Sequence, residues 1–347
     1  MKTKILCTIG PASNSPEMLE KLIKAGMNVA RCNCTHGTVA ANEANIRACQ
    51  KARQKTKSAL IVALDTKGPD IRIGFFEGPN PTGSNSIIVK EGQLFTFHTK
   101  EVKGTSQGVY VNYIRLPQVV KVGQELRIND GLVLMTVEKV TDTEVIARVN
   151  TDGVIKDKKS LAVPGCDLKL PFLSKLDEED LIMGCKNKVD WILASFVGSA
   201  KDVLEMKAFM KKHGGEKIKI ISKIESVYGV ENLDEILKVS EGIIVARGDL
   251  GIEYPVEQIP NLQKMIVEKT RAAGKIIIVA TEMLESMIDK PRPTRAETTD
   301  VANAVWDGSE YVWLSAESAT GKYPVQCVQY LARISAEAEK HKQYFRI

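Results

Sequence analysis

The sequence predicts an α/β fold: a (β/α)8 TIM barrel with a small all-β barrel domain inserted into it. Three observations carry that expectation. Eight short β-branched runs are apolar on both faces, amphipathic stretches of helical period separate them, and in one central segment the helical period vanishes. The runs occupy residues 4–10 (KILCTIG), 27–33 (MNVARCN), 59–66 (ALIVALDT), 190–197, 217–225, 242–248, 275–283 and 311–315. Strands of a parallel barrel are covered on both faces, which is why they read as continuous apolar runs.

The helices between them carry their own start and stop signals. SPEMLEKLIKAG opens on Ser15, whose hydroxyl suits an N-cap, and closes on Gly26. SAKDVLEMKAFMKKHGG ends on Gly214 and Gly215. After the eighth run, YPVQCVQYLARISAEAEKH supplies a last helix, with Val325, Val328, Leu331, Ala332 and Ile334 expected on one side.

From about Asp70 to Leu170 short alternating stretches such as QELRI, LVLMTVEKV and EVIARV replace the helices, punctuated by Asn129-Asp130-Gly131. The expected organisation is residues 1–69 as the first part of the barrel, 70–170 as an inserted β-barrel lid, and 171–347 as the second part. Hinges are expected near Gly68-Pro69 and Pro164-Gly165.

Composition narrows the class. The chain has 347 residues, 44% of them hydrophobic, with a net charge of +5 spread along the sequence and not gathered into a basic block, so nucleic acid is not an expected partner. Seven cysteines, an odd number without a CxxC pair, read as reduced thiols, and Cys32 and Cys34 read as small packing residues. The N-terminus is too short in apolar residues for a signal peptide, and no stretch of about 18 apolar residues occurs. A cytoplasmic protein away from the membrane is expected.

In a barrel of this kind the active site gathers at the carboxyl ends of the strands. Polar groups recur at six of them: Arg31, Asn33 and Thr35; Asp65 and Thr66; Lys223 and Glu225; Arg247 and Asp249; Thr281 and Glu282; Ser315 and Glu317. Where the spacing is two residues, as for Lys223 and Glu225 or Arg247 and Asp249, both side chains aim the same way while the strand stays extended. A structural salt bridge at the mouth would explain any one pair. Six ends together point to a polyanionic ligand with cations, because buried charges are normally paired or metal-bound. Glu225 and Asp249 offer hard oxygens suited to Mg²⁺, while Lys223, Arg31 and Arg72 supply positive charge. Gly248 lets backbone approach a ligand closely, and Arg247 reads as a structural partner of nearby carboxylates. Arg247-Gly248-Asp249 also matches a cell-adhesion tripeptide, which would need an exposed extracellular loop.

The stretches CTIGPAS, AGMNVARCN, LDTKGPDIRIG, ISKIE, VARGDLGIE, ATEMLESM and KPRPTRAETTDVANAVWDG, in this order, resemble the signatures of the pyruvate kinase family over nearly the whole chain. The resemblance implies a barrel with a β lid that transfers the phosphoryl group of phosphoenolpyruvate to ADP or GDP in the last step of glycolysis. It implies that Lys223 stabilises the transferring group and the enolate, that Glu225 and Asp249 hold Mg²⁺ or Mn²⁺, and that Arg31 grips the phosphate. Gly248, Asp249 and Thr281 would seat the substrate, Asn33, Thr35, Asp65 and Thr66 would hold K⁺, and Asn33, His36, Arg72 and Lys159 would contact the nucleotide. Thr281 with ordered water is the expected proton donor to the enolate.

Departures from the family pattern affect the details. Thr35 stands for serine, Asp70 for glutamate, Glu282 for glutamine, Gly198 for arginine, Ala162 for asparagine and Thr320 for lysine. K⁺ activation is still expected, and the choice of base stays open. The resemblance ends after the eighth helix, so the usual C-terminal domain and its effector site are expected to be missing, and a homodimer through barrel contacts replaces the usual tetramer. Two other readings stand beside this one. A metal-dependent lyase or aldolase acting on a pyruvate-like enolate would use Glu225 and Asp249 similarly but leaves Arg72 and the lid unexplained, and a silent ligand-binding scaffold would bind without turnover.

Overall fold

All eight apolar runs form strands of one closed parallel barrel. In the computed structural model, which describes residues 2–35, 37–78, 85–129, 131–166 and 168–341, the first three are β1 (Lys4–Ile9), β2 (Met27–Asn33) and β3 (Ile61–Asp65). His36 and Asp130 lie outside the described residues. The chain then leaves the barrel for β4 (Ser86–Val89), β5 (Leu94–His98), β6 (Gly108–Tyr110), β7 (Glu125–Ile128), β8 (Val133–Val140), β9 (Glu144–Val149), β10 (Gly153–Lys156) and β11 (Leu161–Ala162). It returns for β12 (Trp191–Ala194), β13 (Lys219–Ile224), β14 (Gly242–Ala246), β15 (Ile276–Ala280) and β16 (Tyr311–Leu314). Barrel order is β1-β2-β3-β12-β13-β14-β15-β16, and β16 closes on β1.

Alternation decides which side chains enter the barrel. Along β13, Ile221 packs inside with Leu6, Val29, Leu193, Ile244 and Ile278, while Ile220 and Ile224 pack outward beneath the helices. Two residues beyond Ile221 the inward series reaches Lys223. The face that fills the barrel therefore delivers this ammonium to its carboxyl-terminal mouth.

The helix signals hold locally. Ser15 Oγ accepts the Met18 N–H at 3.2 Å to cap helix Pro16–Ala25, and Gly26 ends it at φ 122°. Helix Ala200–Lys212 starts with a capping box of Ser199 and Asp202. The last helix, Pro324–Lys340, buries Cys327, Val328, Leu331, Ser335 and Ala338, while Val325, Ala332 and Ile334 are only partly covered. The buried stripe is thus rotated from the expected one, because small residues sit where the helix approaches its neighbours.

The inserted segment has its own apolar core, including Phe95, Phe97, Leu126 and Met135. Its six-stranded sheet runs β11-β7-β8-β9-β5-β6, with β5 and β6 parallel, and β10 pairs with β4. A short helix, Leu116–Val119, interrupts the all-β pattern. At the two connections Gly68 and Gly165 take φ of 71° and 67°, which side-chain-bearing residues avoid. No helix among the described residues is long and apolar enough to cross a membrane.

Candidate active site

Register brings the polar strand ends level. Asn33 pairs with Asp65, Asp65 with Leu193, and Lys223 with Ile244. Asp65, fully buried, joins the two principal cations. Its Oδ2 receives Arg31 Nε at 2.7 Å and Arg31 Nη2 at 2.6 Å, while its Oδ1 lies 3.5 Å from Lys223 Nζ. The Arg31 guanidinium also donates to Thr8 Oγ1 at 3.2 Å and lies 5.0 Å from the Trp313 ring centre.

Lys223 is held from three sides. Besides Asp65, its Nζ lies 3.0 Å from Glu225 Oε1 and donates to Ser195 Oγ at 3.0 Å. Burial alone would pull this ammonium toward neutrality, but Asp65 and Glu225 together outweigh it and push its pKa up to about 12. A permanent, oriented positive charge results. Ser195, absent from the sequence expectations, is central here: its hydroxyl donates to Thr66 O at 2.7 Å and lies 3.2 Å from Asp65 Oδ1. The alternation of Trp191 and Leu193 on β12, continued to Ser195 just past its end, was its sequence signal, a polar residue at the inward position.

Buried Glu225 forms an acidic pair with half-buried Asp249. Its Oε2 accepts the Phe196 N–H at 2.6 Å, and burial, reinforced by a hydrogen bond to Asp249 and opposed by Lys223, pushes its pKa up to about 8. Two carboxylates in contact, one of them buried, repel unless a proton or a cation lies between them. That donor set fits a divalent ion: hard oxygens, two protein ligands, and remaining positions for water and substrate. Among the described residues no group of three His, Cys, Asp or Glu side chains converges as a metal site.

Asp249 reaches Glu225 because β14 does not stay extended. The strand stops at Ala246 and helix Arg247–Glu253 begins, so the condition for same-side pairing of Arg247 with Asp249, an extended strand, is not met: two residues on a helix are turned about 200° apart. Arg247 goes the other way, to Asp300 at 2.6 Å and to the carbonyls of Thr281 at 2.6 Å and Ala280 at 3.3 Å. These contacts hold a strained turn. Thr281 sits at φ 71° and Glu282 at φ 53°, and a β-branched residue there costs roughly 1–3 kcal/mol. The turn places Thr281 Oγ1 2.7 Å from the Gly248 N–H, which it accepts, while donating to Ala280 O at 2.6 Å. Glu282 is exposed.

Two of the oxygens expected at the K⁺ site accept backbone N–H groups beside this cluster. Asn33 Oδ1 accepts the Thr35 N–H at 3.1 Å, and Thr66 Oγ1 accepts the Ser195 N–H at 3.1 Å. Strand eight departs from expectation. Residues Ala316–Ala319 turn helical, and buried Glu317 accepts the N–H groups of Leu284 at 3.0 Å and Ser315 at 2.7 Å. It is a brace between two loops and not part of the charged ring. Arg72 and Lys159 lie on the neck of the inserted domain: Arg72 Nε meets Asp70 Oδ2 at 2.6 Å, Arg72 Nη1 donates to Lys158 O at 3.0 Å, and Lys159 O accepts the Ile73 N–H at 3.0 Å. Between barrel mouth and inserted domain runs a cleft of about 430 Å³, bordered by Glu225, Asp249, Phe196, Gly198 and Ala162.

Fold and site together define a barrel protein with a β domain over a mouth that joins fixed cations to a carboxylate pair. Residues 1–328 match the family described as pyruvate kinase, barrel domain. The pyruvate kinase of Clostridium perfringens is 43% identical over 344 residues, covering 99% of this chain and 71% of that protein. That of Thermotoga maritima is 42% identical, covering 99% of this chain and 72% of the relative. The crystal structure of a pyruvate kinase from Cryptosporidium parvum superposes with a TM-score of 0.91 at 40% identity, covering 98% of this chain and 69% of that one. The chain belongs to the pyruvate kinase family.

Proposed function

We propose that the chain transfers the phosphoryl group of phosphoenolpyruvate to ADP or GDP, yielding pyruvate and the nucleoside triphosphate as the last step of glycolysis. The observation that carries this reading is Lys223, held 3.0 Å from both Glu225 and Ser195 beside the Asp65–Arg31 pair. Phosphoryl transfer asks for positioning and for charge neutralisation more than for covalent chemistry. A lysine kept charged by Asp65 and Glu225 meets that need on the phosphoryl and enolate oxygens, and Arg31, pinned by Asp65, orients the phosphate.

Glu225 and Asp249 would hold Mg²⁺ or Mn²⁺, and Asn33, Thr35, Asp65 and Thr66 would hold K⁺. Both ions supply positive charge to substrate oxygens when bound. Gly248 faces Thr281 with ordinary contact distance for an added Cβ, 3.6 Å, so packing alone does not require glycine there; close approach of the substrate does. The Thr281 hydroxyl is the assigned proton donor, through water, and must rotate off Ala280 O to act. Asn33, His36, Arg72 and Lys159 would meet the nucleotide. The reading includes a cytoplasmic enzyme and a homodimer through barrel contacts.

A coupled assay of pyruvate formation with Mg²⁺, ADP against GDP, and K⁺ against Na⁺ tests it. Lys223→Met is expected to lower kcat by about 10³-fold or more, the scale of losing a principal charge stabiliser. Folded wild type that turns over neither nucleotide would favour the lyase or scaffold instead.

A further inference from the structure

Arg127 stands on β7 of the inserted domain, yet its guanidinium also bonds outside that domain. Its Nη1 donates to Ile252 O at 2.7 Å and Gly251 O at 3.4 Å, and Glu125 Oε1 anchors its Nε at 2.6 Å. A second tie runs from the returning connection, where the Gly165 N–H donates to Glu253 Oε2 at 3.2 Å. Both ties end on the last turn of helix Arg247–Glu253, the helix that carries Gly248 and Asp249.

That helix is held at its start, by Arg247 on Asp300 and by the Gly248 N–H on Thr281, but less at its carboxyl-terminal turn. It is seven residues long and has no side-chain hydrogen bond at its N-cap; Leu250 O accepts the Tyr254 N–H at 2.8 Å, but the helix ends too soon to supply donors to the carbonyls of Gly251 and Ile252. A cation at those carbonyls both satisfies them and suits the helix dipole. The tilt of the helix fixes where Asp249 meets Glu225.

We propose that Arg127 is a positioning residue: by holding the carbonyls of Gly251 and Ile252 it sets helix 247–253 against Glu225, so that divalent-cation affinity depends on the inserted domain being seated on the barrel. The inference rests on the reading of Glu225 and Asp249 as metal ligands.

Mn²⁺ binding to the whole chain, followed by electron paramagnetic resonance without substrates, tests both layers. Asp249→Asn is expected to abolish tight binding. Arg127→Met is expected to weaken it about tenfold, the worth of one or two charge-assisted hydrogen bonds, and Arg127→Lys to recover part of the loss. Hydrogen exchange across residues 247–253 should quicken in Arg127→Met, and its lost turnover should return when Mg²⁺ is raised, which a global folding defect would not allow. Unchanged Mn²⁺ affinity in Arg127→Met, with Asp249→Asn still impaired, would overturn the positioning role alone. Unchanged affinity in Asp249→Asn would overturn the metal reading beneath it.

Discussion

At the scale of single residues, buried charge is tolerated where it is answered and costly where it is not. Asp65 answers two cations with two oxygens. Asp180, on helix Lys175–Lys186, is the contrast: it is 1% exposed, its Oδ1 has no hydrogen-bond partner, and burial with Asp177 nearby pushes its pKa up to about 6. A carboxyl whose folded pKa exceeds its unfolded value favours folding when protonated, so its contribution is full below about pH 4 and is lost as pH rises through about 6. Asp180→Asn is expected to stabilise the protein by up to about 3 kcal/mol at pH 7, with the gain fading by pH 4. Urea unfolding at the two pH values checks it, and equal differences at both would refute the cause given.

Among the elements, strands were more legible than the turns that follow them. The eight apolar runs announce the strands because both faces are buried, whereas the end of β14 depends on helix Arg247–Glu253 finding Arg127, Asp300 and Thr281 far along the chain. The last helix shows the same limit. Apolar periodicity picked Val328 and Leu331 correctly but could not see that Ser335 and Cys327 would be enclosed. Ser335 Oγ is buried without a hydrogen-bond partner. Ser335→Ala removes an unanswered hydroxyl from a helix and is expected to raise stability by about 1 kcal/mol, read as a higher Tm. A lower Tm would mean that the hydroxyl is satisfied.

For the whole molecule, the neck between barrel and inserted domain is also part of the site. Gly68 takes φ 71°, and a Cβ there would lie 2.9 Å from Ser195 Cβ, the residue that accepts from Lys223. Gly68→Ala should therefore combine backbone strain of roughly 1–3 kcal/mol with displacement of Ser195, lowering kcat more than stability alone explains. Activity measured well below the variant's Tm separates the two. Full activity there would show that the neck can move without disturbing Lys223.

Sequence alone determined the barrel, the inserted β segment and most of the residues that meet at its mouth, because apolar runs, alternation and glycine-marked connections are local and repeat along the chain. The family motifs around Lys223, Glu225 and Asp249 were legible for the same reason. Tertiary structure decided what those residues touch. It turned Arg247 away from Asp249, made Glu317 a brace, drew Ser195 into the cluster and set Arg127 on the Asp249 helix. Each of these depends on hydrogen bonds between segments brought together only when the barrel closes, and a directional contact of that kind leaves no period in the sequence.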